Sequence, residues 1–279
     1  MRLAISNIAW PTGADDAVAP SLHANGVEGV ELAMTKIWAE PLAASEREVR
    51  AYRERWEKRG VRVAAVQALL FGKPHLTLFE SESTRQKMLD YLAGIIERAD
   101  WLGASALVFG SPKNRSRGKR GHKEAWDIAV PFFRELGRIA HQHGVCFCIE
   151  PNPKDYGCDF VNTVTVGIEL VDAVAEEGFR LHLDTGGMAL ARDPPEASIA
   201  ASGRLIRHFH VSEPFLDEIG SGVARHEECA MALRSMEYSG WVSIEMSEPE
   251  PVGKWREAIE SSLAFVRTTY EVGGSHVAA

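Results

Sequence analysis

Eight short runs rich in β-forming residues alternate with long amphipathic stretches along this chain. That alternation confines it to parallel strands joined by crossover helices. Strands are predicted over residues 3–8, 27–33, 61–69, 106–109, 145–150, 179–184, 205–211 and 241–245. Helices are predicted over 46–59, 83–102, 124–143, 163–177, 226–238 and 254–270, where apolar residues recur at helical spacing and charge takes the other face. Five helix-to-strand junctions carry a glycine, Gly26, Gly60, Gly144, Gly178 and Gly240, which suits a left-handed cap and a tight turn. A closed (β/α)8 barrel and an open doubly wound sheet share this local pattern. Eight units in 279 residues, close to the roughly 250 that such a barrel needs, favour the barrel. The expectation is α/β, a single domain over 1–272, with a frayed tail over 273–279.

Charge and cysteine usage narrow the function classes. The net charge of −8 gives no broad basic field, which argues against general nucleic-acid binding. Cys146, Cys148, Cys158 and Cys229 form no CxxC pair, so reduced thiols and a cytoplasmic location are expected. The first apolar segment is broken by Asn7 and Pro11, too short for a secretory leader. No apolar run approaches the ~20 residues of a membrane span. A homo-oligomer stays open.

In a barrel, reacting groups gather where strands end and βα loops begin. Predicted strands five to eight end at Glu150, Asp184, His210 and Glu245, separated by 34, 26 and 35 residues, each about one βα unit. Counting back by the strand period, Cys148, His182, His208 and Ser243 share the inward face, and Ile149, Leu183, Phe209 and Ile244 face the helices. One such carboxylate alone reads as well as a helix cap; four on consecutive strands point to a divalent ion. Three carboxylates and one imidazole suit Mn²⁺ first, with Mg²⁺, Co²⁺ and Zn²⁺ as alternatives.

These residues resemble the xylose isomerase-like barrel superfamily of sugar isomerases and epimerases, which includes the endonuclease IV type of repair enzyme. The resemblance spans nearly the whole chain. It is carried by Glu150-Pro151-x-Pro153 with Asn162-Thr163, by Leu183-Asp184-Thr185-Gly186, by His208-x-His210 and by Ile244-Glu245. It implies that Glu150, Asp184, His210 and Glu245 hold the metal and that Glu150 and Glu245 also serve as acid and base on opposite faces of a sugar. The implied activity is isomerase or epimerase chemistry on a sugar or sugar derivative through an enediolate. A metal-dependent lyase, dehydrating a keto-polyol or related acid at the same site, is the alternative; an endonuclease IV-like enzyme is a more distant one. Two departures stand out. Gly187 replaces a histidine that epimerases and repair enzymes commonly carry after the strand-six aspartate, and Leu216 replaces an arginine of the ketose 3-epimerases. Both speak for a mononuclear site.

Further residues are assigned to substrate. Asn7, Glu31 and Gln67 end strands one to three and are expected to meet sugar hydroxyls. His182 and His208 on the inward face, and His226 after a glycine-containing loop, are placed with them. Residues 113–123 carry six basic side chains and no acidic one; Lys113 and Arg115 are expected to clamp an anionic group, against the plainer reading of a solvated loop. Asp184-Thr185-Gly186 also imitates an aspartic-protease motif, but that chemistry needs two such carboxylates on an all-β scaffold.

Overall fold

The computed structural model describes residues 1–248 and 253–272; the expected tail over 273–279 lies outside them. Eight parallel strands close into a barrel in sequence order, each bonded to the next and β8 to β1. They are β1 (Arg2–Ser6), β2 (Gly29–Ala33), β3 (Arg62–Gln67), β4 (Ala106–Phe109), β5 (Cys146–Ile149), β6 (Phe179–Asp184), β7 (Ile206–Val211) and β8 (Trp241–Ile244). The open-sheet alternative is thereby removed.

The helices are α1 (Asp15–Ala24), α2 (Glu46–Glu57), α3 (Glu82–Leu102), α4 (His122–Gln142), α5 (Val164–Val174), α6 (Thr185–Ala191), α7 (Pro195–Ser202), α8 (His226–Ser235) and α9 (Trp255–Tyr270). Three of these were not expected: α1, which contains Pro20, and the short pair α6 and α7. Helix starts follow local chemistry. Ser45 with Glu48 and Ser81 with Thr84 form reciprocal caps that satisfy the first free N–H groups of α2 and α3. Of the five junction glycines, Gly26, Gly60 and Gly144 take positive φ (74, 76 and 70°). Gly178 serves closeness instead, because a Cβ there would collide with the backbone of α4 at Gly137.

Strand parity divides the core. Ile149, Leu183, Phe209 and Ile244 turn outward and join the main apolar layer between barrel and helices. There Phe109, Phe133, Phe147 and Phe179 pack ring against ring. Each such buried ring contributes roughly 1.5–3 kcal/mol relative to exposure. The inward face is different in kind. Ala65, Ala106 and Cys148 form a small separate cluster, and Glu31, His182, His208 and Ser243 are wholly buried. A barrel interior lined by short and polar side chains leaves room for a polar centre at its upper end. Among the described residues, no helix is long and apolar enough to cross a membrane.

Candidate metal centre

The four expected ligands converge on the C-terminal mouth of the barrel. Asp184 and His210 are register partners on β6 and β7. Glu150 and Glu245 lie one residue beyond β5 and β8, but their N–H groups still donate to Phe109 and Val211 on the neighbouring strands (3.2 and 2.9 Å). Both are therefore aimed as strand residues are. Donor atoms of Glu150, Asp184 and His210 lie within 4.8 Å of one another, and Glu245 Oε2 is 3.1 Å from His210 Nδ1.

Asp184 also caps α6. Its Oδ1 accepts from Gly187 N at 2.5 Å, and Ser212 Oγ donates to its Oδ2. Ser212 Oγ in turn accepts from Gly186 N (3.0 Å). Gly187 thus contributes its backbone to orienting the aspartate. On the opposite side Gly110 faces Glu150, and a Cβ there would run into Glu150 Oε2.

The electrostatics describe crowded anions that His210 and Arg115 offset only in part. Burial, then the nearby Asp184 and Glu245, push the Glu150 carboxyl up to about 8. Burial and Glu245 push Asp184 up to about 6. Burial opposes charge on His210, but Glu31 and Glu245 outweigh it and raise the imidazole well above the usual histidine range. Without an ion, His210 thus carries protons on both nitrogens and lies between two carboxylates. A divalent cation beside Nδ1 would stand where that proton stands and relieve the repulsion among the three carboxylates. The donor set fits such an ion.

The lower nitrogen is already engaged. His210 Nε2 donates to Glu31 Oε2 at 2.9 Å, and His208 Nε2 reaches the same oxygen at 2.9 Å. Burial disfavours the Glu31 charge, yet the two imidazoles hold the carboxyl well below its ordinary range. Glu31, His182 and His208 are 0% exposed and form the floor beneath the ligands, with His182 4.1 Å from His210 between ring centroids. The three side chains, expected to meet substrate, are enclosed here and face one another and His210.

Other strand-end expectations separate in the same way. Asn7 is buried and exchanges hydrogen bonds with the backbone of Ala33 (2.8 and 3.4 Å). His226 is closed in by Glu213 Oε1 (3.0 Å) and the Tyr270 hydroxyl (3.1 Å). The two residues of the expected anion clamp have different surroundings. Arg115 is wholly buried, and its Nη2 donates to the carbonyl of Glu150 at 2.6 Å. The loop beyond it is not loose either, since the Asp159 carboxylate accepts from the backbone N–H of Arg117 and Gly118 and from Ser116 Oγ. Lys113 lines an adjoining cavity. Gln67 does reach the site.

A cavity of about 380 Å³ opens above the carboxylates, lined by Gln67, Val108, Gly110, Glu150, Asn152, Tyr156, Asp184, Phe215, Leu216 and Glu245 among others. Sequence reading did not single out Tyr156, Phe215, Ser212 or Glu213. The Tyr156 hydroxyl accepts from Phe215 N (3.0 Å). Glu213 is buried and gathers the N–H groups of Gly220, Val223 and Ala224 (3.2, 3.1 and 3.1 Å), which fixes the loop after β7. The one available signal was position: Ser212 and Glu213 follow directly on the strand that delivers His210.

A closed parallel barrel with three carboxylates and an imidazole at its C-terminal mouth defines a barrel protein with a metal-type centre. The chain belongs to the xylose isomerase-like TIM barrel family, whose sequence model matches residues 21–269. It is 28% identical over 123 residues to the D-psicose 3-epimerase of Ruminiclostridium cellulolyticum, a stretch that covers 44% of this chain and 42% of that protein. The match therefore spans less than half the length of that relative. Over the full fold, the crystal structure of a D-psicose 3-epimerase in the presence of D-fructose superposes with a TM-score of 0.81 at 20% identity, covering 98% of this chain and 100% of that one. The IolI protein with a bound zinc atom superposes with a TM-score of 0.76 at 20% identity, covering 97% and 98%.

Proposed function

We propose that this protein is a divalent-metal-dependent epimerase or isomerase of a sugar or sugar derivative, working by proton transfer at a carbon next to a carbonyl. The observation that carries the reading is the placing of two glutamates across one cavity. Strands β5 and β8 flank β6 and β7, so Glu150 and Glu245 stand on either side of the Asp184–His210 pair.

A divalent ion, when bound, polarises the carbonyl and offsets the charge that develops on its oxygen. The chain's own residues do the rest. One glutamate removes the proton from the carbon and the other delivers a proton from the opposite side. Return to the same carbon inverts it; return to the neighbouring carbon moves the carbonyl. Glu150 accepts a proton only in its ionised form, which a cation among the carboxylates would favour. Asp184 and His210 stay in place because Gly187, Ser212 and Glu31 hold them. Gln67, Asn152 and Tyr156 supply polar contacts for substrate oxygens.

The 3-epimerase relative and the zinc-bearing neighbour support the reading. Mn²⁺ is the ion we propose, on the oxygen-rich donor set. A small-molecule sugar is the partner, not nucleic acid, and the four unpaired thiols support a cytoplasmic setting. The test is a screen of keto-sugars with the Mn²⁺-loaded protein in D₂O. Deuterium enters the carbon beside the carbonyl, and Glu150→Gln and Glu245→Gln each abolish it. Exchange that survives EDTA, or both substitutions, overturns the reading; an enone absorbance in place of epimer identifies the lyase instead.

A further inference from the structure

The strands run parallel, so their first residues meet at the end of the barrel opposite the carboxylates. Arg2 opens β1, Arg62 opens β3 and Trp241 opens β8. Trp241 is buried and packs with Ala4 and Ala64, and a Cβ at Gly29 would run into its ring. The indole thus plugs the lower barrel, and the Arg2 guanidinium lies over it, 3.6 Å from the ring centroid. Outside this plug a cavity of about 640 Å³ opens, lined by Arg2, Arg53, Arg62, Glu57, Ser105 and Trp241 among others. Three guanidinium groups therefore border one cavity in a chain whose net charge is −8. Among the described residues, Glu57 is the one carboxylate in that lining.

Basic side chains at this end of a barrel ordinarily serve stability, because the helices end here and present carbonyl groups with partial negative charge. Two arginines of the same face do that. Arg180 Nη1 donates to the carbonyls of Glu176 and Phe179 (2.7 and 2.9 Å), and Arg207 Nη2 reaches the carbonyl of Ser105 (3.4 Å). Arg2 and Arg62 differ. Arg2 meets Glu28 only at 3.9 Å, and Arg62, exposed at the rim, forms no ion pair among the described residues. The two are close enough to repel: burial and Arg62 weaken the hold of Arg2 on its proton, and Glu28 offsets this only in part. Arg53 comes from α2, where Glu57 pairs with it at 2.7 Å. Gly103 at the end of α3 makes room for it, since a Cβ there would meet the guanidinium. The positive charge that remains is of the kind an oxyanion removes. A guanidinium offers paired N–H donors that match phosphate oxygens, and a phosphate monoester carries about −1.5 to −2 charges at pH 7. A carboxylate, with a single charge, would leave more of the three guanidinium groups uncompensated.

We propose that the N-terminal mouth of the barrel is a second ligand site, at which Arg2, Arg53 and Arg62 bind a small phosphate-bearing molecule. The site is independent of the reaction assigned above. The probes are sn-glycerol 3-phosphate, inorganic phosphate and glycerol, each titrated calorimetrically into the Mn²⁺-loaded protein. Both phosphates bind saturably at one site per chain, glycerol does not, and the affinity falls as NaCl rises. Arg62→Gln and Arg2→Gln each weaken the binding by about tenfold or more. Lys113→Gln, at the opposite mouth, leaves it within about twofold. Arg62→Gln, at an exposed position, is expected to melt with the parent; if Arg2→Gln loses its fold with its Trp241 contact, Arg62→Gln decides alone. The absence of saturable binding, or binding that Arg62→Gln leaves within about twofold, overturns the proposal. Binding abolished by Lys113→Gln, or by removing Mn²⁺ with EDTA, places the anion at the carboxylate end and overturns it too.

Discussion

Glu31 Oε2 lies 2.9 Å from His210 Nε2, on the side of the imidazole away from Glu245. That contact keeps a proton on Nε2 and leaves Nδ1 facing Glu245. Carboxylates that support a ligating histidine in this way typically account for 10–100-fold in metal affinity. Glu31→Gln is expected to weaken Mn²⁺ binding by about that factor, measured by competition with a fluorescent chelator. Unchanged affinity would show that His210 is oriented by packing alone.

Metal binding should release protons. In the metal-free protein His210 holds its Nδ1 proton and Glu150, at about 8, is mostly protonated at pH 7. Both must be lost for these groups to ligate, so about two protons are released per ion at pH 7 and fewer above pH 8, where Glu150 is already ionised. The sign follows from the raised values: affinity climbs as pH rises through about 6, where Asp184 ionises, and about 8, where Glu150 does, and more gently above, where the His210 proton is still displaced. Calorimetry in buffers of different ionisation enthalpy reads the number directly. A binding heat independent of buffer would contradict the assignment.

Gly110 has no side chain because Glu150 occupies that space. Its φ lies outside the left-handed region, so the obstacle to alanine there is the Glu150 carboxylate. Gly110→Ala should keep the barrel's circular dichroism and lose at least about tenfold in metal affinity, as expected when a ligand is displaced. A variant that binds metal normally would mean that Glu150 can ligate from another rotamer.

Arg115 belongs to the fold more than to the substrate. Its guanidinium lies wholly buried, 5.9 Å from the Phe109 ring, with one bond to the Glu150 carbonyl. Arg115→Ala should destabilise the protein by about 2–4 kcal/mol through the void it leaves, read as a lower midpoint in urea. It should alter KM equally for phosphorylated and free sugars. A selective loss for phosphorylated sugars would restore the anion-clamp role.

The barrel and the residues at its mouth were legible because they depend on periodicity. Parity along a strand assigns each side chain a face, so Asp184 and His210 could be set inward, and Ile149, Leu183, Phe209 and Ile244 outward, from the order of residues alone. The βα repeat then brought four strand ends to one mouth. The same logic failed for α1, whose Pro20 hides its helical pattern, and for the pair α6 and α7, too short for a clear period.

What the sequence by itself determined is therefore the fold class and the residues that face inward at the mouth. Only the tertiary structure decided what each inward residue meets. Glu31, His182 and His208 have the same parity as a substrate-binding residue, and Arg115 has the same charge as an anion clamp. Their depth below the cavity depends on the stagger between strands far apart in sequence, such as β2 against β7 across the barrel. Burial and the choice of partner arise from that packing, and no local pattern encodes them.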